Sequence, residues 1–178
     1  MSIPPKIVAV GFGLIVVAAL SRAAASRPFP TDESLHARFL AHRVDFETLV
    51  AMAKEDNRLS RIAPGFTWLN DDVAWPRKDV GISEERWNGY RQEFRSVGAL
   101  EGILKGNNPT RIIFPITSRG LVPAGSEKGL VYSEAPLTPV LKSLNKRPPG
   151  ELWDGPDRSH VVAYKPIDDH WYIYYEQW

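Results

Sequence analysis

Asp168-Asp169-His170 sets two carboxylates beside an imidazole, the groups that general acid–base hydrolysis uses. Neighbours at a turn point in different directions, and aspartates are ordinary turn formers, so this tripeptide is expected at the tip of a hairpin. Together with His160 it supplies the acids and bases that a small hydrolase would bring together only through its fold. A nucleophile would have to come from Ser60, Ser118, Ser126 or Ser133, and none of these stands in a GxSxG or SxxK setting. Ser126-Glu127-Lys128 misses the second pattern by one residue and reads as a solvated turn between strands.

Metal chemistry finds no better footing. His36 and His42 are separated by about 600° of helix, roughly 120° out of alignment, so they do not share a face as two ligands would. The acidic loop Asn70-Asp71-Asp72, with Asp79 beyond it, lacks the alternating oxygen ligands, central glycine and closing glutamate of a calcium loop. Asp45 and Glu47, and Glu84 and Glu85, are the first-turn acids expected to complement a helix dipole. There is no GxGxxG and no GxxxxGK[ST], and the absence of cysteine removes disulfides, thiolate ligands and a thiol nucleophile. The sequence therefore assigns no cofactor, no metal site and no catalytic residue.

The least ordinary feature is aromatic. Tyr164, Trp171, Tyr172, Tyr174, Tyr175 and Trp178 crowd the last stretch of chain, and strand alternation puts Trp171, Ile173 and Tyr175 on one face and Tyr172, Tyr174 and Trp178 on the other. Either this strand is covered on both sides or one face is open. An open tyrosine-rich face suits a protein, peptide or sugar, since tyrosine combines large contact area with a polar tip. Tyr172, Tyr174 and Trp178 are accordingly the candidate binding residues, joined by Trp153 in the proline- and glycine-rich loop 145–158.

The elements that must position these groups can be read from capping and periodicity. Thr31 or Asp32 is expected to cap a helical unit running through Glu55, bent or broken where Asp45 can recap it. Ser83 caps a second helix carrying the stripe Trp87, Tyr90, Phe94 and Val97, which Gly98 stops. Between them, 58–75 reads as short strands and turns pinned by aromatics. Arg111–Ser118 and Lys128–Ser133 read as strands, with Leu121-Val122 a shorter piece between them and Pro115 marking an edge or bulge. Thr138-Pro139 predicts a short helix over Pro139–Leu144. His160–Ile167 and Trp171–Trp178 predict a terminal hairpin. Helices first and strands later, without βα alternation, predict an α+β fold with N-terminal helices packed on a mainly antiparallel sheet.

Lys6 is followed by the apolar run Ile7–Leu20 and then by Ser21-Arg22-Ala23-Ala24-Ala25, the layout of a secretory signal cut before Ser26. Arg22 keeps a retained membrane anchor as the alternative. Residues 1–25 are thus expected to be a signal peptide or anchor and 26–178 a single domain outside the cytoplasm. Lys6 and Arg22 account for the chain's net charge of +1, leaving 20 basic against 21 acidic side chains after Ala25. Such a balance offers no footprint for phosphate backbones and argues against nucleic acid. The membrane enters only through residues 1–25 if they are uncleaved. The function expected is a non-enzymatic binding domain in the cell envelope or outside it, such as an inhibitor, immunity-like or assembly factor. A small exported hydrolase and a membrane-tethered structural subunit are the alternatives.

Overall fold

A computed structural model of the chain describes residues 28–69, 72–73, 80–106, 111–121, 124–152 and 160–178. The leader, the loop 70–71, Trp75, Asp79 and Trp153 fall outside these residues.

The chain enters through two helices, α1 (Asp32–Ala41) and α2 (Arg43–Glu55). Thr31 is the N-cap of α1, its Oγ1 accepting from Ser34 N at 3.2 Å. The break falls at His42, which closes α1 by donating its backbone N–H to Arg38 O and Phe39 O, while its Nδ1 lies 3.2 Å from Asp45 Oδ2. Leu35 and Phe39 on α1, then Phe46, Leu49, Val50 and Ala53 on α2, are buried at the i, i+3, i+4 spacing of an amphipathic face. The third helix, α3 (Glu84–Val97), starts at Ser83, whose Oγ accepts from Arg86 N at 3.1 Å, and stops at Gly98 with φ 70°, a left-handed conformation that glycine adopts without strain. Arg86 and Tyr90 then bind α3 to the end of α2, both donating to Asp56 Oδ2 at 2.8 Å.

Among the described residues eight strands form one sheet: β1 (Leu59–Ile62), β2 (Thr67–Leu69), β3 (Asp72–Val73), β4 (Ile103–Lys105), β5 (Arg111–Leu121), β6 (Ala124–Ser133), β7 (Val161–Asp168) and β8 (Trp171–Gln177). Their spatial order is β3-β2-β1-β4-β5-β6-β8-β7, and each pairing between named strands is antiparallel. The protein is α+β, with its helices on the N-terminal side and a C-terminal β7–β8 hairpin turning at Asp169-His170. The helices cover one face of the sheet. Phe39, Phe46, Phe114 and Trp171 meet there with ring centroids 5.0 to 6.2 Å apart, and Leu130, Val161, Ala163 and Ile173 complete the floor. No helix of the described residues is long and apolar enough to cross a membrane.

Three local expectations are corrected. Leu121 is not a separate piece: it pairs with Ala124, and Gly120 with Gly125, so β5 and β6 form one continuous ladder. Here the glycines sit inside the ladder instead of breaking it. Ser126-Glu127-Lys128 is mid-strand in β6 and not a solvated turn; Lys128 is only 1% exposed. Its charge misled, because the side chain is neutralised by a partner 96 residues away. The segment 139–144 is extended, not helical: Leu141 N donates to Tyr164 O at 2.8 Å and Tyr164 N to Pro139 O at 3.0 Å, forming an isolated parallel bridge alongside β7. The open edge of β7 offers backbone partners that outweigh a local capping signal. Pro115 does mark a bulge, with a register shift between Pro115 and Thr117.

A buried ion pair ties the first helix to the sheet. Asp32 accepts from Lys128 Nζ at 2.8 Å, Lys165 Nζ at 3.1 Å, Leu144 N at 2.9 Å and Ser143 Oγ at 3.1 Å. Burial alone would raise its pKa, but hydrogen bonds from Lys128, Leu144 and Lys165 outweigh that and hold it below the ordinary carboxylate range.

Candidate functional site

On the face of the sheet away from the helices, alternation along four strands aims a second set of side chains. From β5 come Arg111, Ile113 and, beyond the bulge, Ser118; from β6, Glu127, Gly129 and Val131; from β8, Tyr172, Tyr174 and Glu176; from β7 and the residue before it, Val162, Tyr164 and His160. Val131, Tyr164 and Tyr174 form a small buried cluster against which Ile113, Leu137, Val162 and Tyr172 pack. Among the described residues this cluster draws on no helix. A cavity of about 120 Å³ opens among Arg111, Ile113, Val131, His160, Val162, Tyr164, Tyr174 and Glu176.

Tyr174 lies at the centre. Its ring passes over Gly129, where a Cβ would stand 3.0 Å from Tyr174 Cε1 and 2.1 Å from Phe114 O, so only glycine permits this approach. Tyr174 Oη donates to Glu127 Oε1, and Ser118 Oγ bridges Glu127 Oε2 at 3.1 Å and Glu101 Oε2 at 2.9 Å. One hydroxyl proton serves two carboxylates in that bridge, and Glu176 stands directly across the β6–β8 ladder from Glu127. Burial pushes Glu127 above the usual carboxylate range, with Glu101 and Glu176 adding to it against the bonds from Tyr174 and Ser118. Burial and the neighbouring Glu127 likewise carry the Tyr174 phenol well above its ordinary value.

At the mouth of the cavity His160 Nε2 lies 3.0 Å from Glu176 Oε1, with 40% and 32% of the two side chains exposed. Deeper, Arg111 Nη1 reaches Tyr164 Oη at 3.4 Å, while Arg111 Nε is buried with no partner among the described residues. Burial raises the Tyr164 phenol, Arg111 opposing it.

The structure separates several residues that the sequence suggested together. Asp168 Oδ2 is 2.6 Å from Arg43 Nη1 and its Oδ1 accepts from Asp169 N, whereas His170 Nδ1 is 3.2 Å from Ser133 O. The turn tip therefore holds no acid–base pair. Ser133 Oγ donates to Ala135 O, Ser60 Oγ lies 3.5 Å from Trp68 O and Ser118 Oγ serves the glutamates, so among the described residues none of these serines is bonded to a histidine. Among the described residues no group of three or more histidine, aspartate or glutamate side chains is placed to hold a metal.

Tyr172, Tyr174 and Trp178 do share the helix-free face. Their exposures differ: Tyr174 is buried, Tyr172 half-buried, and Trp178 38% exposed beside Gly125, with which it exchanges two backbone hydrogen bonds of 2.9 and 3.0 Å. Glu176 and Arg111 escape sequence reasoning, which weighs Ser118 only as a nucleophile and places Glu127 in a solvated turn. The period-2 pattern signals their side of each strand, but only the order of strands shows that they converge. No protein-family model matches the chain, and comparison with curated proteins and with solved structures finds no match.

Proposed function

We propose that this is an exported, non-enzymatic binding domain that holds a partner protein or peptide on the helix-free face of its sheet. The observation that carries this reading is the face itself: a small cavity within it, half-buried Tyr172 beside the cavity and exposed Trp178 just past the end of β8. Aromatics flanking a partly desolvated pocket are the pattern of interface anchors. The leader motif, with Ala23 and Ala25 before Ser26, supports action outside the cytoplasm. Photocrosslinking from positions next to Tyr172 in the native host tests the reading. A partner crosslinked to the wild type and lost from Tyr172→Ala/Trp178→Ala, with thermal unfolding unchanged, is the expected result; equal recovery overturns it. N-terminal sequencing of the exported protein decides between a cleaved signal and a retained tether.

One observation favours a second reading, a small hydrolase: His160 and Glu176 meet at the mouth of a cavity, a general base with an orienting carboxylate. Ser118 is bonded elsewhere, so the nucleophile would be water. Hydrolysis of an ester or amide panel that His160→Ala abolishes would select this reading over binding alone.

A further inference from the structure

Resting on the binding reading above, we infer that the cavity receives the carboxylate of a glutamate or aspartate side chain on a partner polypeptide, held by Arg111 and Tyr164. The donors and acceptors around the cavity are unevenly matched. Glu176, the carboxylate in its lining, is already held by His160 at 3.0 Å, and Glu127 behind Tyr174 is held by Tyr174 and Ser118. Among the described residues Arg111 has no such partner. There its Nε is buried without an acceptor, its Nη1 makes one long 3.4 Å contact, with Tyr164 Oη, and no carboxylate pairs with it. Tyr164 spends its oxygen as an acceptor there, and its own proton finds no acceptor among the described residues. The site is thus short of acceptors, and a planar carboxylate offers two in the geometry that a guanidinium fork matches.

Size and walls narrow the occupant further. At about 120 Å³ the cavity is far below the roughly 300 Å³ or more of a cofactor pocket. The walls Ile113, Val131 and Val162 suit one or two methylenes behind the carboxylate. A phosphate's second charge would face Glu176, which favours the singly charged carboxylate. Gly106 keeps the guanidinium in place by leaving it room, since a Cβ there would lie 2.8 Å from Arg111 Nε.

The test is a titration of the purified full chain with the capped peptide Gly-Glu-Gly, followed by amide NMR, with Gly-Gln-Gly and sodium acetate as comparisons. Saturable shifts at Arg111, Tyr164 and His160 are expected with the glutamate peptide. Binding at least about tenfold weaker is expected for the glutamine peptide and for Arg111→Gln, the loss of a charged hydrogen bond. Tyr164→Phe keeps the ring, should weaken binding by a smaller factor, and answers the question if Arg111→Gln fails to fold. Equal affinity for the two peptides, no saturable shift, or an unchanged affinity in the folded variants overturns the inference. Acetate binding as tightly as the peptide also overturns it, in favour of a free small acid. The crosslinking experiment separates the binding face from the carboxylate: a partner lost from the Tyr172 variant but kept by Arg111→Gln leaves the face standing and removes the carboxylate.

Discussion

Lys128 Nζ lies 2.8 Å from Asp32 Oδ1, and only 1% and 0% of the two side chains reach solvent. Both ions are further satisfied, Lys128 by Leu144 O at 3.0 Å and Asp32 by Lys165, Leu144 and Ser143. A pair in this setting is worth little against a well-packed apolar substitute, yet removing one member strands the other. Asp32→Asn is therefore expected to cost about 3–5 kcal/mol in urea unfolding, and Asp32→Leu/Lys128→Met to recover most of that loss. A double variant no more stable than the single one would show that the pair supplies more than charge cancellation.

Asp32 also sets an acid limit. Its folded pKa is held below the unfolded value, so its stabilisation is complete above the unfolded carboxylate range and is lost as pH falls through the folded pKa. Urea midpoints from pH 7 to pH 3 should fall more steeply in the wild type than in Asp32→Asn. Parallel curves would remove Asp32 as the group responsible.

Glu127 has the opposite sign. Its folded pKa is raised, so its contribution is present below the unfolded value and is lost as pH rises through the folded one. An amide at this position can accept from Tyr174 and donate to Ser118, whose proton then goes to Glu101. Glu127→Gln should accordingly match or exceed the wild type in stability at pH 7 and lose that advantage at pH 4. Lower stability than the wild type at both values would count against a buried charge there.

Gly129→Ala should destabilise by about 1–3 kcal/mol, because a Cβ 2.1 Å from Phe114 O must push β5 and β6 apart at the bulge. Gly65→Ala is the matched control, with nothing within 4 Å of the added methyl. Similar thermal midpoints for the two variants would contradict the close approach.

The helices were legible because their signals are local. Ser83, the stripe through Tyr90, Phe94 and Val97, and Gly98 all act within one segment, and the structure keeps each in its expected role. Alternation along Trp171–Trp178 likewise sorted the aromatics onto two faces. The candidate site was not legible, since Glu127 meets Glu176 only because β8 inserts between β6 and β7, an order that no local pattern encodes. The bulge after Pro115 adds a second obstacle: one extra residue decides that Ser118, and not Thr117, stands opposite Glu127. Pro139 misled for a related reason, its capping signal being local while the edge of β7 that claims it is not.

The contact between Asp32 and Lys128 spans 96 residues of sequence, whereas the β5–β6 and β7–β8 pairings close between residues three apart, Leu121 with Ala124 and Asp168 with Trp171. Closing a long loop costs entropy before its contacts repay it, so the hairpins are poised to assemble ahead of the docking of α1. The ion pair would then form after the rate-limiting barrier, acting as a latch on a finished sheet. Asp32→Asn should accelerate unfolding severalfold while leaving refolding nearly unchanged in stopped-flow chevrons, and a slowed refolding limb would instead place α1 in the folding nucleus.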